Sequence, residues 1–297
     1  MSEFQGIFPA TITPMDPAGA FDEEAFRKVL EFNIRAGAHG FWLAGGTGES
    51  VLLDDEENKR IAAIAAEQTG GRVVNIMHVG AATTARAARL SEHAARVGVD
   101  SICCVPPFFY HRGDAEIVEH YRIVGAAADL PLFVYNLPGS TGVEITPDLM
   151  RKIQDGVPQL KGLKHSSPNF GNVRIFAAMG LSCFIGSASL MLPGLVAGAC
   201  GCVDGPPNYA PELWVEIWNA YQAGDLARAE AAQRRANEAW NAATKFDYLA
   251  SVKTLVGARI DTDCGAPRPP GSPLTAAERE QLLQDLAALE LGAINLD

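Results

Sequence analysis

The sequence predicts an α/β protein: a closed (β/α)8 barrel, the TIM-barrel architecture, followed by a C-terminal helical extension. The first observation is that eight short apolar runs alternate with amphipathic helical stretches through residues 1–223. The second is that several of these runs are apolar on both faces, as are the strands of a parallel sheet covered by helices. Eight units in one layer favour a closed barrel over an open doubly wound sheet.

The predicted strands recur along the alternating part of the chain. In order, they are GIFPATIT, GFWLAG, VVNIMHV, DSICCVP, LFVYN, LKGLKHS, SCFIGS and CGCVDG. Between them, stretches such as EEAFRKVLEFNIRAG and TARAARLSEHAARVG place apolar residues at i, i+3 and i+4 and end near a glycine. This spacing predicts amphipathic helices. We therefore assign residues 1–223 to a barrel that carries the catalytic site.

Residues 224–297 follow a different pattern. The stretch GDLARAEAAQRRANEAWNAATKFDYLASVKTLVG predicts helices without a strand-like run. A segment rich in proline and glycine, GAPRPPGSP, then precedes TAAEREQLLQDLAALE, which predicts a last helix. We interpret this part as a helical extension that packs on the barrel.

Composition excludes several classes of partner. The 297 residues carry 24 basic and 35 acidic side chains, so the net charge is 24 − 35 = −11, which disfavours nucleic acid and anionic membrane surfaces. The N-terminal stretch MSEFQGIFPATITPM does not have the pattern of a signal peptide, and no apolar run is long enough for a membrane span. The cysteines lie mostly in apolar runs and lack metal-type spacing, which indicates reduced thiols and a cytoplasmic protein. They are Cys103, Cys104, Cys183, Cys200, Cys202 and Cys264.

A glycine-rich turn, LAGGTGESV, follows the second predicted strand. Glycine-rich turns between a strand and a helix often direct backbone N–H groups at an anion. The spacing is neither GxGxxG nor GxxxxGK[ST], so neither a dinucleotide nor a P-loop phosphate is indicated. Another anion is therefore expected. We expect the backbone of Gly46, Thr47 and Gly48, with the Thr47 hydroxyl, to bind the carboxylate of a 2-oxo acid whose ketone carbon reacts with Lys164.

Lys164 and Tyr135 end two consecutive predicted strands, and catalytic groups of a barrel belong at the C-terminal ends of its strands. A buried lysine is costly unless it is paired or used, and burial favours the neutral amine that attacks a ketone to form an imine. From position alone, Lys164 also fits a strand-end lysine whose amine reaches solvent, and Tyr135 fits a core tyrosine. Their combination with the glycine turn favours catalysis, with Tyr135 passing protons.

On these motifs, the sequence resembles the dihydrodipicolinate synthase / N-acetylneuraminate lyase family of Schiff-base aldolases. The resemblance extends from GIFPATITPMD through GGTGES, PPFFY, YNLP and GLKHSS to the RPP segment. It implies a (β/α)8 barrel with C-terminal helices, often a homotetramer, that binds pyruvate or a related 2-oxo acid. Carried over by motif, Lys164 is the Schiff-base residue, Tyr135 is the general acid/base and Gly46–Thr47 is the carboxylate site. Ser166 and Val203 line the pocket.

Departures from the family pattern narrow the expected function. Gly46 replaces the first hydroxyl residue of the usual GTTGE or GSTGE motif, and Ser140 stands where dihydrodipicolinate synthases carry an arginine that grips the aldehyde substrate's carboxylate. Phe109 occupies the place of their inter-subunit tyrosine, with Tyr110 adjacent. N-acetylneuraminate lyases have acidic residues after the seventh-strand glycine, whereas Gly186 is followed by Ser187. Lysine biosynthesis and sialic acid cleavage are therefore both disfavoured.

We predict a lyase or aldolase that cleaves or forms a C–C bond of a 2-oxo acid through an imine on Lys164. Candidate substrates are 2-oxo-3-deoxy sugar acids and 4-hydroxy-2-oxo acids, with Gly186, Ser187 and Asp204 near their variable half. Alternatives with the same imine are a dihydrodipicolinate synthase or a dehydratase of the keto-deoxy-glucarate type, which the GGTGE spelling also resembles. No metal or organic cofactor is required, because the protonated imine is itself the electron sink.

Two other classes of function remain open. A metal-dependent barrel lyase needs a converging His/Asp/Glu set, but the histidines form no HxH or HExxH pair, and only His78 and His165 sit near strand ends. A non-catalytic barrel that binds 2-oxo acids and has a regulatory role is disfavoured by the presence of both Lys164 and Tyr135. Asp16, Glu49 and His165 are interpreted as structural.

Overall fold

The structure, a computed structural model, describes residues 4–296. Residues 1–3 and 297, which begin and end the two predicted segments, lie outside it. Residues 4–296 contain eight β-strands: β1 (Gly6–Pro9), β2 (Gly40–Leu43), β3 (Val74–His78), β4 (Ser101–Cys104), β5 (Leu132–Asn136), β6 (Leu160–His165), β7 (Ser182–Ile185) and β8 (Gly201–Asp204).

Helices follow the strands and continue to the C-terminal end of the described chain. They are α1 (Glu23–Arg35), α2 (Asp55–Thr69), α3 (Thr84–Val97), α4 (Asp114–Ala128), α5 (Pro138–Thr141), α6 (Pro147–Gly156), α7 (Asn172–Ala178), α8 (Met191–Val196), α9 (Pro211–Gln222), α10 (Leu226–Ala243), α11 (Tyr248–Ile260) and α12 (Ala276–Ala288). Short 3₁₀ turns cover Ser50–Leu52, Ala188–Leu190 and Pro206–Asn208.

The eight strands are parallel and close into a barrel. Neighbouring strands pair from β2 through to β8, and β8 pairs with β1. The remaining gap lies between β1 and β2. Two backbone hydrogen bonds bridge it: the His39 amide donates to the Ile7 carbonyl at 2.9 Å, and the Thr11 amide donates to the Trp42 carbonyl at 3.1 Å. The predicted (β/α)8 barrel with C-terminal helices is confirmed.

Local sequence signals explain where the helices begin and end. The side chains of Asp22, Asp54 and Thr83 accept hydrogen bonds from backbone amides in the first turns of α1, α2 and α3. Gly70 and Gly98 end α2 and α3 in the left-handed conformation that glycine adopts without steric cost. These signals define where α1, α2 and α3 begin and where α2 and α3 end.

Alternating strand residues divide the core into two layers. Leu132 and Val134 of β5 pack outward against the helices, whereas Phe133 and Tyr135 belong to a cluster inside the barrel. This inner cluster also contains Trp42, which is fully buried. The barrel is therefore a packed aromatic core with its polar groups at one end.

The last three helices cover one side of the barrel. Helix α10 packs on α9, and α11 contacts both α1 and α12. The division of the chain into a barrel at residues 1–223 and a helical extension at residues 224–297 stays a prediction. Tyr248 of α11 reaches Gly205 at the end of β8. The six cysteines are free thiols. Among residues 4–296, no helix combines the length and the apolar character that crossing a membrane requires.

Candidate active site

Lys164 and Tyr135 lie side by side on neighbouring strands. In the register between β5 and β6, Tyr135 is paired with Lys164. Both are nearly inaccessible to solvent: Lys164 is 3% exposed and Tyr135 is 5% exposed. The Lys164 Nζ atom donates a hydrogen bond to Tyr135 Oη at 3.2 Å. The neighbouring strands thus bring together an amine and a phenol, as the order of the motifs predicted.

Aromatic rings surround the lysine amine. Nζ lies 4.5 Å from the centroid of the Tyr135 ring and 5.7 Å from that of Trp42. The Trp42 and Tyr135 rings meet edge to face, with centroids 5.6 Å apart. The amine is consequently held inside the barrel end, and a snorkelling lysine whose amine reaches solvent does not describe this position.

The glycine-rich loop after β2 is shaped by its own hydrogen bonds. The amides of Glu49 and Ser50 donate to the carbonyls of Gly46 and Gly45, and the hydroxyl of Thr13 donates to the Gly48 carbonyl at 2.8 Å. Within residues 4–296, the amides of residues 46, 47 and 48 make no hydrogen bond to another group. Such a run of unpaired N–H groups is suited to an anion.

The same loop approaches the tyrosine. A Cβ atom built on Gly46 would lie 3.5 Å from Tyr135 Oη. Thr47 is 9% exposed, and its methyl group faces Gly205 at the end of β8. The candidate carboxylate site and the candidate acid/base are therefore adjacent in space.

A buried ion pair fixes this loop to the C-terminal helices. Glu49, in the left-handed conformation with φ 61°, lies 2.6 Å from the Lys253 ammonium of α11, and both side chains are 1% exposed or less. Glu49 also accepts from the Arg268 amide at 2.6 Å, and Lys253 donates to the Ala266 carbonyl at 3.0 Å. Burial lowers the pKa of Lys253, and the Glu49 carboxylate opposes that effect. These contacts favour the structural interpretation of Glu49.

Ser166, Gly186 and Ser187 line a cavity that Tyr135 does not line. A Cβ atom on Gly186 would lie 1.9 Å from Ser166 Oγ and 3.1 Å from Lys164 Cε, so only glycine leaves room for both side chains. The Ser166 hydroxyl is 3.5 Å from the Gly186 carbonyl. Gly186 thus lies against the lysine stem, Ser166 lies against Gly186, and Ser187 follows next in the chain.

Two further predicted residues have roles inside the barrel. Val203 is fully buried in the inner cluster, beneath the strand ends. The Asp204 carboxylate accepts from the amides of Ala188 and Gly205 at 2.7 and 2.8 Å. Burial raises the pKa of Asp204, whereas the Lys164 charge and these two amides act to lower it. In this structure, Asp204 holds the loop that carries Ser187.

His78 at the end of β3 also faces the site. It is 2% exposed, and its ring lies edge to face with Tyr135 at a centroid distance of 6.1 Å. Burial, followed by the Lys164 charge, lowers the pKa of His78 to about 4, so the ring is neutral at neutral pH. His165 is instead held between the Asn136 side chain and the Asn169 carbonyl, while Asp16 accepts from two amides of its own turn.

Two cavities are lined by residues that lie against Lys164, one by Tyr135 and the other by Gly186. The Tyr135 cavity, of about 360 Å³, is lined by Gly46, Glu49, Ser50, Val51, Leu52, His78, Val105, Phe108, Tyr135, Leu137, Ser140, Thr141 and Leu249. The Ser187 cavity, of about 190 Å³, is lined by Ser166, Ser167, Pro168, Phe170, Ile185, Gly186, Ser187 and Leu190. A larger cavity of about 580 Å³ at residues 15–19 and 263–279 shares no lining residue with either.

The aromatic residues after β4 project from the molecule. Phe109 is 84% exposed and Tyr110 is 66% exposed, and their rings meet edge to face at 4.9 Å. Phe109 adopts a positive φ of 74°, which is rare for an aromatic residue. Large apolar side chains held outward in this way suit contact with another protein surface.

Sequence reasoning missed Lys253, Trp42 and Leu249. A signal for Lys253 was present, because it is the one cation in the apolar stretch YLASVKTLVG and would be costly to bury without a partner. Nothing in the sequence marks Leu249 as a cavity residue. Among residues 4–296, no group of three or more His, Cys, Asp or Glu side chains has a geometry suited to a metal ion.

The chain as a whole is similar to known sequences and structures. Residues 3–289 match the sequence profile of the dihydrodipicolinate synthetase family. An uncharacterized DapA-like lyase of Halobacterium salinarum is 36% identical over 96% of this chain and 94% of its own length. The N-acetylneuraminate lyase of Citrobacter koseri is 31% identical over 97% of this chain and 96% of its own. The solved dihydrodipicolinate synthase of Aquifex aeolicus superimposes with a TM-score of 0.91 at 28% identity, over 98% of this chain and all of that one.

Proposed function

Because this chain belongs to the dihydrodipicolinate synthetase family of lyases, we propose that it cleaves or forms a C–C bond of a 2-oxo acid through an imine on Lys164. The observation that carries this proposal is the 3.2 Å contact between Lys164 Nζ and Tyr135 Oη beside three unpaired loop amides. The substrate is pyruvate or a compound that releases pyruvate.

The first steps join the 2-oxo acid to the lysine. The amides of Gly46, Thr47 and Gly48, with the Thr47 hydroxyl, bind the carboxylate and so bring the ketone carbon within reach of the amine. The neutral amine adds to that carbon, and Tyr135 gives a proton to the hydroxyl that leaves as water. The product is a protonated imine.

Bond cleavage then uses the imine as an electron sink. Tyr135 accepts the proton of the C4 hydroxyl, the C3–C4 electron pair moves toward the imine nitrogen, and an aldehyde departs. Protonation of the resulting enamine at C3 and addition of water release pyruvate and the free amine. In the synthetic direction, Tyr135 returns its proton to the new C4 alkoxide.

Reduction with borohydride in the presence of pyruvate tests the proposal. The wild-type protein should gain the mass of one reduced pyruvate adduct, and peptide mapping should place it on Lys164. Lys164→Ala should neither trap pyruvate nor turn over, and Lys164→Arg should fail equally because a guanidinium stays protonated. Tyr135→Phe should trap pyruvate slowly and lose about 10²–10⁴ in turnover, the usual effect of a positioned acid/base.

A matched control is available on the same strand. Lys161 is an exposed lysine of β6, so Lys161→Ala should trap pyruvate at the wild-type rate. An adduct on Lys161, or normal activity of Lys164→Ala, would refute the proposed mechanism. Trapping without turnover of any 2-oxo acid would instead favour a regulatory barrel.

We further propose a cytoplasmic homo-oligomer, with a tetramer as the expected state. The exposed pair Phe109 and Tyr110 supports the assembly, and the free cysteines support the compartment. A dihydrodipicolinate synthase activity is disfavoured because Ser140, rather than an arginine, lines the Tyr135 cavity.

A further inference from the structure

We propose that the aldehyde part of the substrate carries an uncharged, mainly apolar substituent, such as a phenyl ring or a short alkyl chain, and that this substituent occupies the Tyr135 cavity. The inference rests on the proposed function and identifies its substrate class. Of the two kinds of candidate substrate, it favours 4-hydroxy-2-oxo acids with an apolar tail over 2-oxo-3-deoxy sugar acids.

The chemistry fixes which cavity receives the tail. The substrate oxygen on C4 must be within hydrogen-bond reach of the Tyr135 hydroxyl, and the tail is attached to the same carbon. Tyr135 lines the cavity named after it and is not among the residues that line the Ser187 cavity. At about 360 Å³, the Tyr135 cavity also falls within the usual volume range of small-molecule sites, whereas the 190 Å³ of the Ser187 cavity is below it.

The walls of the Tyr135 cavity are predominantly apolar. Six side chains from four separate segments contribute hydrocarbon surface. They are Val51, Leu52, Val105, Phe108, Leu137 and Leu249.

Among the described residues that line the Tyr135 cavity, no cation is present that could pair with a negatively charged tail. Lysine and arginine are absent from the cavity lining, and His78 is neutral because its pKa is lowered to about 4. The Glu49 carboxylate is already bound by Lys253 and the Arg268 amide. A second carboxylate on the substrate would therefore be desolvated without a partner.

The cavity also offers few hydrogen bonds to a polyhydroxylated tail. The Thr141 hydroxyl already donates within its own turn, to the Leu137 carbonyl at 3.0 Å. Apart from Tyr135, whose hydroxyl is taken by the C4 oxygen, Ser50 and Ser140 provide the remaining wall hydroxyls. Each sugar hydroxyl that is buried without a partner lowers affinity by about tenfold or more. The wall thus selects against sugars as well as against diacids.

A panel of aldehydes tests the inference in the synthetic direction. Pyruvate consumption is measured with benzaldehyde, hexanal, glyceraldehyde and aspartate semialdehyde at matched concentrations. We expect kcat/KM for benzaldehyde or hexanal to exceed the values for the other two by at least about tenfold, since one desolvated polar group is worth that much. Ser140→Arg should raise the value for aspartate semialdehyde relative to benzaldehyde.

A pair of leucine variants locates the subsite. Leu249→Asn should lower kcat/KM for the apolar aldehydes about tenfold while leaving the rate of pyruvate trapping unchanged. Leu226→Asn, at an exposed position at the start of α10, is the control and should change neither value. If pyruvate is trapped normally but glyceraldehyde or aspartate semialdehyde is preferred, or Leu249→Asn has no selective effect, the inference is overturned while the imine mechanism stands. Absence of trapping in the wild-type protein would overturn both.

Discussion

Replacing Lys253 with methionine removes one partner of the buried ion pair that holds the glycine-rich loop. The Lys253 and Glu49 side chains are 1% and 0% exposed, and their charged atoms are 2.6 Å apart. At an effective dielectric constant of about 20, this separation corresponds to about 6 kcal/mol of attraction. Part of that is returned because the ammonium need no longer be desolvated, so we expect a net loss of about 3–5 kcal/mol in the free energy of unfolding.

Urea unfolding at fixed protein concentration measures this loss, and a surface lysine provides the control. Lys245 forms a 2.7 Å pair with Asp285 but is 49% exposed, so Lys245→Met should cost less than about 1 kcal/mol. Combining Lys253→Met with Glu49→Gln removes both charges and should recover most of the stability. The Lys253 variant should also raise the KM for pyruvate more than it lowers kcat, because Glu49 directly follows Gly46–Gly48, the proposed carboxylate site. A Lys253→Met protein no less stable than Lys245→Met would refute the reasoning.

The remaining predictions concern assembly and pH. Replacing both Phe109 and Tyr110 with serine should shift the protein toward smaller species in sedimentation at micromolar concentration, and an unchanged distribution would exclude these residues from the interface. His120, a residue of α4, is 3% exposed, and burial lowers its pKa to about 4 from an ordinary value near 6.5. The unfolded chain therefore binds the proton first, and stability is lost as the pH falls from 6.5 toward 4. Urea unfolding of the wild type and His120→Gln at pH 7.5 and pH 5 measures this loss. Between these two pH values, the wild type should lose about 2 kcal/mol of unfolding free energy relative to the variant. A pH-independent difference would show that His120 is not buried in its neutral form.

The features that could be predicted from the sequence depend on periodicity and strand order. Alternating apolar runs predicted the barrel, because strand and helix periods differ and each unit must bury its own apolar face. The proximity of Tyr135 and Lys164 followed from the same pattern, since both end consecutive strands of a parallel barrel. The fold prediction is confirmed, and the catalytic roles of the two residues stay predictions.

Features that depend on contacts between distant segments could not be predicted. Glu49 and Lys253 come from opposite ends of the chain, and only packing of α11 on the barrel brings them together. The Asp204 carboxylate accepts from two amides whose directions depend on the loop conformation, and its expected place near the substrate stays a prediction. The neutral state of His78 depends on complete burial next to Lys164, which no local pattern reveals.

Helix α11 contributes both to the wall of the Tyr135 cavity and to the ion pair that holds the glycine-rich loop. Tyr248 packs against the end of β8, Leu249 forms part of the Tyr135 cavity and Lys253 holds the glycine-rich loop. In this chain, a substitution at Leu249 that reshaped the Tyr135 cavity would lie one helical turn from the lysine that holds the glycine-rich loop. Residues of α11 can therefore change the Tyr135 cavity without releasing the loop only if Lys253 is preserved.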